Sequence, residues 1–407
     1  MRTLTAPAMP LAPPSRLLLL LVIVLTGLGD LTTQIYVPSL PAIAADFGVG
    51  KEAVQHTLTA FVLAFGLGQL VWGPLSDRFG RRIVLLSGLL LYLAASIACY
   101  LADSTGSLIG ARFAQGAGAS AAIVLARAIT RDAWGARAGP VMMLGTLAIG
   151  LCVMVSPLLG SVLASFPAGW QGSFVFLFVL ASVVLAYVWF GYRETHHARD
   201  PHAIHPLRLI SNYRALLRDR GYVGFALVLA FTYGGLFAFI SSAPLYFVGE
   251  MGLSPQAYGL CFLVVVAGLC AGVVVARFMS QRRGFAATLR IGIGLCLASA
   301  LAALALAWAT GPTLASLLLP QLPVTFGAGL VIPSAIAGAV IPQGQRAGLA
   351  AGLLGCLQMI GGALFGYLAV RFYAGTPTAM LAIQVGALAL AAATAVLTRG
   401  GAPGGAS

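Results

Sequence analysis

Residues Gly68–Arg82, GQLVWGPLSDRFGRR, decide how the rest of the chain is read. Gly73, Pro74 and Gly80 are the residue types that punctuate a sharp turn. Asp77 sits between them, and Arg78, Arg81 and Arg82 crowd its end. Long apolar runs, Val54–Val71 and Ile83–Leu101, lie on either side. A charged turn between two such runs has no place inside lipid, so it is a short loop at a membrane face. Its arginines assign that face to the cytoplasm.

Composition agrees. Of 407 residues, 60% are hydrophobic and 8% charged, too few charges to cover a soluble domain of this length. A net charge of +13 in a soluble protein would point to nucleic acid. Here the arginines mark cytoplasmic loops, and no nucleic-acid partner is expected. Cys99, Cys152, Cys261, Cys270, Cys296 and Cys356 all fall in apolar runs with no C-x-x-C pair, and read as small core residues. Arg16 and the run after it mimic a signal peptide. However, Ala42–Ala44 lies too far along for cleavage and Asp30 interrupts the run, so an uncleaved first helix is expected.

A spanning helix needs about 20 mostly apolar residues. Twelve such segments can be drawn: 17–37, 54–75, 83–101, 106–129, 139–164, 170–192, 221–247, 256–278, 286–309, 313–340, 346–371 and 377–397. Pro320, Pro323 and Pro333 make the tenth the least regular. With a cytoplasmic N-terminus, 20 of the 23 basic residues, Arg127 among them, fall on cytoplasmic segments or helix ends. Lys51 and Arg371 fall outside, and Arg112 is left in the membrane. This asymmetry sets the topology, with both termini cytoplasmic.

The expected fold is therefore an all-α membrane protein of 12 transmembrane helices in two pseudo-symmetric six-helix bundles. The bundles are 1–192 and 221–399, joined by a cytoplasmic linker, 193–220, and followed by a disordered tail, 400–407. The linker's His196, His197, His202 and His205 lack the cysteines or closely spaced acids of a metal site, so no metal is expected. The arginines and glycine of Arg277–Gly284 echo the first charged loop, and the glycines of helix 11 echo those of helix 5. Two similar halves suit a transporter with its site between them.

Asp30 is the one acid deep within a predicted helix, where a carboxylate is costly and has a task. Apolar surroundings favour its neutral form, so Asp30 is suited to take up and release a proton near neutral pH. Arg112 is the matching cation, with pairing or proton gating as its two readings. Candidate cavity residues, chosen by position, are Gln34, Tyr36, Gln115, Tyr233, Phe237, Phe239, Gln321 and Gln358. Pro157 and Gly160 kink and thin helix 5. Asp132 and Arg131, with Asp77 and the loop arginines, are expected to form a cytoplasmic charge network that locks helices 2, 3 and 4. The alternative for these charges is a solvated set contributing little. No G-x-x-x-x-G-K-[ST], G-x-S-x-G or H-E-x-x-H pattern is present, so neither ATP drive nor enzyme chemistry is expected.

Gly73, Asp77, Arg78, Gly80, Arg81 and Arg82 match the signature loop between helices 2 and 3 of major facilitator superfamily transporters, which the turn resembles. Arg112-x-x-Gln115-Gly116 resembles the fourth-helix motif of its proton-coupled members. Ser156–Ser161 resembles the antiporter motif G-P-x-x-G-G, with serine at two glycine positions. With Asp30 to Pro41 and Leu125 to Asp132, these occur in the order and spacing of bicyclomycin-resistance and chloramphenicol-efflux (Bcr/CflA) transporters. The resemblance covers nearly all of the first half. In that group an Asp stands two residues before the Tyr of D-x-Y-x-P. Gln34 stands there in this chain, and Asp30 lies one turn earlier on the same face. The resemblance implies a monomeric drug:proton antiporter of the bacterial inner membrane, working by alternating access. Its partners are a small-molecule substrate, protons and the lipid bilayer, and the proton gradient serves in place of a cofactor. A transporter of one metabolite with the same fold is the rival reading, ahead of a channel or a membrane-embedded enzyme.

Overall fold

In the computed structural model, residues 15–135, 138–196, 200–201 and 203–397 are described. The tail 400–407, the histidines at 197 and 202, and the arginines at 2, 137, 199 and 399 lie outside them. Twelve long helices follow one another: α1 (Arg16–Gln34), α2 (Lys51–Phe79), α3 (Arg81–Tyr100), α4 (Thr105–Trp134), α5 (Ala138–Ala164), α6 (Gly172–Phe190), α7 (Arg220–Phe247), α8 (Pro255–Arg283), α9 (Phe285–Thr310), α10 (Gln321–Val340), α11 (Ala347–Arg371) and α12 (Thr378–Leu397). Over the described residues, eleven spans are long and apolar enough to cross a membrane. The remaining helix, α5, is itself 27 residues long.

Helix starts follow local chemistry. The Ser15 hydroxyl accepts from the Leu18 N–H at 3.1 Å, and Asp219 accepts from the N–H groups of Gly221 and Tyr222 at 2.9 and 3.2 Å. Ser104 and Ser107 close a capping box on α4. The first charged turn is tighter than expected. Gly73 and Pro74 lie inside α2, so Gly80 alone, with φ of 99°, reverses the chain into α3. Proline at position 74 is tolerated because neighbouring groups in a bundle satisfy the backbone it frees. Gly284, with φ of 78°, makes the same turn between α8 and α9. A side chain in either conformation would be strained.

Other departures lie at helix ends. α1 stops at Gln34, and a 3-10 turn, Val37–Ser39, leads into a short helix, Leu40–Asp46. The tenth span divides at Pro320 into Leu314–Leu318 and α10. The segment between α6 and α7 carries an amphipathic helix, Pro206–Arg218, whose Tyr213 hydroxyl donates to the Leu70 carbonyl of α2 at 3.2 Å.

Small residues bring the helices together. α2 packs on α4 and α4 on α3, while α7 packs on α11 and α8 on α10. The earlier and later helices meet along α2 with α11 and α5 with α8. Phe237, Met359 and Ala363 from the later helices join the core cluster of the earlier ones. At Gly116 a Cβ would stand 2.3 Å from the Phe61 carbonyl oxygen, a contact with backbone that cannot yield. Gly116→Val is therefore expected to wedge α4 from α2 and to cost about 1–3 kcal/mol. Thermal unfolding of the detergent-solubilised protein checks this, and an unchanged melting temperature refutes the close packing.

Candidate functional site

The guanidinium of Arg112 is 0% exposed, at the centre of the early helices. Its carbon lies 4.2 Å from the Phe61 ring centroid, 4.4 Å from Tyr36 and 5.9 Å from Phe174. Those rings come from α2, the end of α1 and α6. One nitrogen donates to Gln115 Oε1 at 2.6 Å, and Gln115 Nε2 passes a bond to Ser96 at 2.9 Å. Nε and the other terminal nitrogen have no hydrogen-bond acceptor. A guanidinium stays charged even when buried, so the aromatic faces stand in for water, each worth about 2 kcal/mol when desolvated. Tyr36 is held by a 2.7 Å bond between its hydroxyl and Thr57. Gln115 and Tyr36, expected on a substrate cavity, are thus both turned to Arg112.

Asp30 is half-buried on α1. The charge acting on it most strongly is Arg127 of α4, expected at a helix end but placed seven residues inside the helix. Its own charge reaches Cys152 of α5 and Tyr233 of α7. The Asp30 charge is therefore felt by side chains of both the earlier and the later helices. One turn on, Gln34 is buried with its Oε1 unpartnered. Tyr233 stacks on Phe237, centroids 5.7 Å apart and planes at 26°, and Gly362 of α11 lies against the Tyr233 ring. Gln358 is half-buried on α11.

Phe239 and Gln321 sit together elsewhere. With Val153, Phe262, Val266 and Thr325 they line a void of about 40 Å³ between α5, α7, α8 and α10. Gln321 and Gln384 exchange two amide hydrogen bonds of 3.0 Å. Pro157 lies inside α5, and Gly160 follows it one turn on. A Cβ at Gly160 would meet the Ile35 carbonyl at 2.0 Å, so the residue lets α5 close on the end of α1.

A second charge cluster caps one end of α2, α3 and α4. Arg81, 0% exposed, donates to Asp77 at 2.6 Å, to Asp132 at 2.9 Å and to Ser76 at 2.6 Å. It also donates to His196 Nδ1 at 3.3 Å. The Glu194 carboxylate accepts from the N–H groups of Arg81 and Arg82 at 3.0 and 3.1 Å, the start of α3, and from those of Thr195 and His196. Burial alone would raise the Glu194 carboxyl, but these four backbone bonds hold it below its ordinary value. Arg82 donates to the Trp189 carbonyl at 2.5 Å. Arg131 is exposed, 3.5 Å from Asp132, and its guanidinium also lies beside Gly348 of α11. Arg78 is exposed over the Phe79 ring. Asp77, Arg81 and Asp132 thus meet as the sequence suggested. Glu194 and His196 join from a segment read as a solvated linker; the one hint was an acid placed directly after a span.

Among the described residues, no group of three or more His, Cys, Asp or Glu is placed to hold a metal.

The family described as Major Facilitator Superfamily matches residues 19–366. The chain is 32% identical over 345 residues to the chloramphenicol resistance protein of Pseudomonas aeruginosa, covering 83% of this chain and 79% of that one. It is 28% identical over 365 residues to a bicyclomycin resistance protein homolog of Haemophilus influenzae, covering 88% and 90%. Its fold matches a bacterial homolog of the human lysosomal transporter Spinster, in an inward-facing and occupied conformation. The TM-score is 0.72 at 16% identity, over 94% of this chain and 96% of that one.

Proposed function

Because the chain belongs to the Major Facilitator Superfamily, a multi-pass membrane transporter of small molecules, we propose that it exports small amphipathic drugs or toxic compounds in exchange for protons. One observation carries the reading. The carboxylate Asp30 lies on α1, within a span long and apolar enough to cross a membrane, and its charge is felt by side chains of α5 and α7. A group so placed can hold a proton or favour a bound substrate's polar group, and exchange one for the other as access alternates. The resistance proteins it resembles supply the cargo class. The proton gradient is the energy source, with no cofactor, and the protein works as a monomer in the bacterial inner membrane.

Expression in a pump-deficient host, against a panel of antibiotics, tests the reading together with pH-gradient-driven uptake into everted vesicles. Raised resistance and uptake that collapses with the gradient are expected. Normal sensitivity with gradient-independent flux overturns it.

The arginine excess further supports a reading with both termini in the cytoplasm and six-helix halves 1–192 and 221–399 joined by 193–220. Cysteines introduced at Arg82 and Arg208 are expected to label from the cytoplasm, and one at Lys51 from outside. Labelling of Lys51→Cys only from the cytoplasm inverts the topology.

A further inference from the structure

The helix Pro206–Arg218, 13 residues long, lies outside the apolar spans. One side of it rests on the bundle. Leu216, 0% exposed, belongs to a core cluster with Tyr222 of α7 and Ala350 and Leu354 of α11, and Tyr213 packs against that cluster, as does Leu70 of α2. The Tyr213 hydroxyl donates to the Leu70 carbonyl at 3.2 Å. Leu70 lies about 13 Å along the helix axis from Phe79, the last residue of α2. The linker helix therefore lies along the flank of the bundle, set back from the tip of α2. It ends just before Arg220, where α7 begins its apolar span. Its level is that of the membrane surface, where a span passes from water into lipid.

On the other side Leu207, Ile210 and Leu217 are 73%, 61% and 53% exposed. Exposed Arg214 and Arg218 stand among them. Steps of three and four residues, 207 to 210 to 214 to 217 and 214 to 218, put all five on one face. The helix contains no acid. Arg208, off this face, pairs with Asp200 at 2.9 Å, while Arg214 and Arg218 have no acid partner among the described residues. An apolar strip edged by unpaired arginines suits the boundary of a bilayer. Leucine and isoleucine enter between headgroups and acyl chains, and arginine stems lie on apolar surface while their guanidiniums reach out to phosphate. The guanidinium fork matches phosphate oxygens. Water alone would leave the strip exposed. An acidic protein would suit the arginines but not a strip on the bundle's flank, where lipid headgroups already stand.

We propose that the helix Pro206–Arg218 docks on the surface of anionic phospholipid, with Leu207, Ile210 and Leu217 buried at the headgroup boundary and Arg214 and Arg218 on lipid phosphates. The docking is independent of the cargo and of which side of the membrane the helix occupies.

The test uses the full chain in nanodiscs of phosphatidylcholine alone and of phosphatidylcholine mixed with phosphatidylglycerol. Amide hydrogen exchange over 206–218 is read by mass spectrometry. Wild type is expected to exchange more slowly in the anionic discs, by about fivefold for each arginine on the surface, and to lose that protection in high salt. Arg214→Gln combined with Arg218→Gln is expected to abolish the difference between the two lipids. Leu207→Ser combined with Ile210→Ser should lower protection in the anionic discs although both arginines remain. Unchanged exchange in α7 and α11 shows that a variant is folded; if one is not, the wild-type comparison still decides. Equal exchange of wild type in both lipids overturns the proposal. Equal protection by soluble glycerol phosphate in phosphatidylcholine discs overturns it in favour of a free phosphate site. Protection that needs two chains per disc overturns it in favour of a second copy. Serine variants protected as well as wild type overturn the burial of the strip.

Discussion

Asp30→Asn is expected to abolish pH-gradient-driven transport, a loss on the order of 100-fold, the upper end of coupling between two sites. The other acids of the chain are Asp46, Glu52, Asp77, Asp103, Asp132, Glu194, Asp200, Asp219 and Glu250. Asp77, Asp132 and Glu194 are engaged in the charge cluster at one end of the bundle, and Asp46 accepts from the Trp170 indole at 2.9 Å. Asp30 differs: its charge is felt by Cys152 of α5 and Tyr233 of α7 and is opposed by Arg127 of α4, and under the proposed exchange a substrate and a proton compete there. If substrate binding expels the Asp30 proton, then by linkage added protons weaken substrate binding by the same factor. The sign is definite: acidification should loosen substrate from the wild type and leave the Asn variant, fixed in the neutral form, unresponsive. Substrate-induced proton release in detergent reads this directly. Undiminished release from Asp30→Asn would move the coupling to another acid, with Asp132, less exposed than Asp77, examined next.

The twelve spans were legible because hydrophobic length is a property of consecutive residues, and about 20 of them cross a bilayer. The turn after α2 was misplaced for a related reason. Gly73 and Pro74 break helices in water, but inside a bundle the backbone they disturb is satisfied by neighbours, and the Ser76 hydroxyl back-bonds to Gly73. Asp30 and Arg112 announced themselves, since few charges survive in lipid without a task. Their partners did not. The rings around Arg112 come from three other elements, and nothing in the order of residues says that Phe61 and Phe174 face the same guanidinium. Arg127 reads as one more helix-end arginine until α4 is packed on α1. Glu194 stands 113 positions from the Arg81 N–H it accepts from, and its meaning appears only once α6 returns the chain beside α3. Side chains that define an element are local in sequence; side chains that meet across elements are not.

Arg81 separates the two roles of the charge cluster, and two substitutions should part them. Arg81 is the hub: fully buried, it holds Asp77 of α2, Asp132 of α4 and His196 beyond α6. Arg81→Ala leaves Asp132, 12% exposed, without its ionic partner from α3. Breaking a buried pair in this way costs about 3–5 kcal/mol, so the expected result is little folded protein in the membrane. Asp77 is different. It is 45% exposed and is itself a single turn from Arg81. Asp77→Asn removes the ionic tie of α2 to the hub while Asp132 still neutralises Arg81, a loss of no more than about 1 kcal/mol. Folding should survive. A lock, however, acts through the difference between two conformations, and a change of 1–3 kcal/mol in that difference shifts populations by about 5- to 150-fold. Asp77→Asn is therefore expected to reach the membrane at near wild-type levels and to lose most of its transport. Quantified membrane protein and efflux from the same cells decide between the roles. Wild-type efflux from well-expressed Asp77→Asn would make the cluster a fold clamp and nothing more, whereas equal loss of protein in both variants would show that α2 needs Asp77 simply to stay packed.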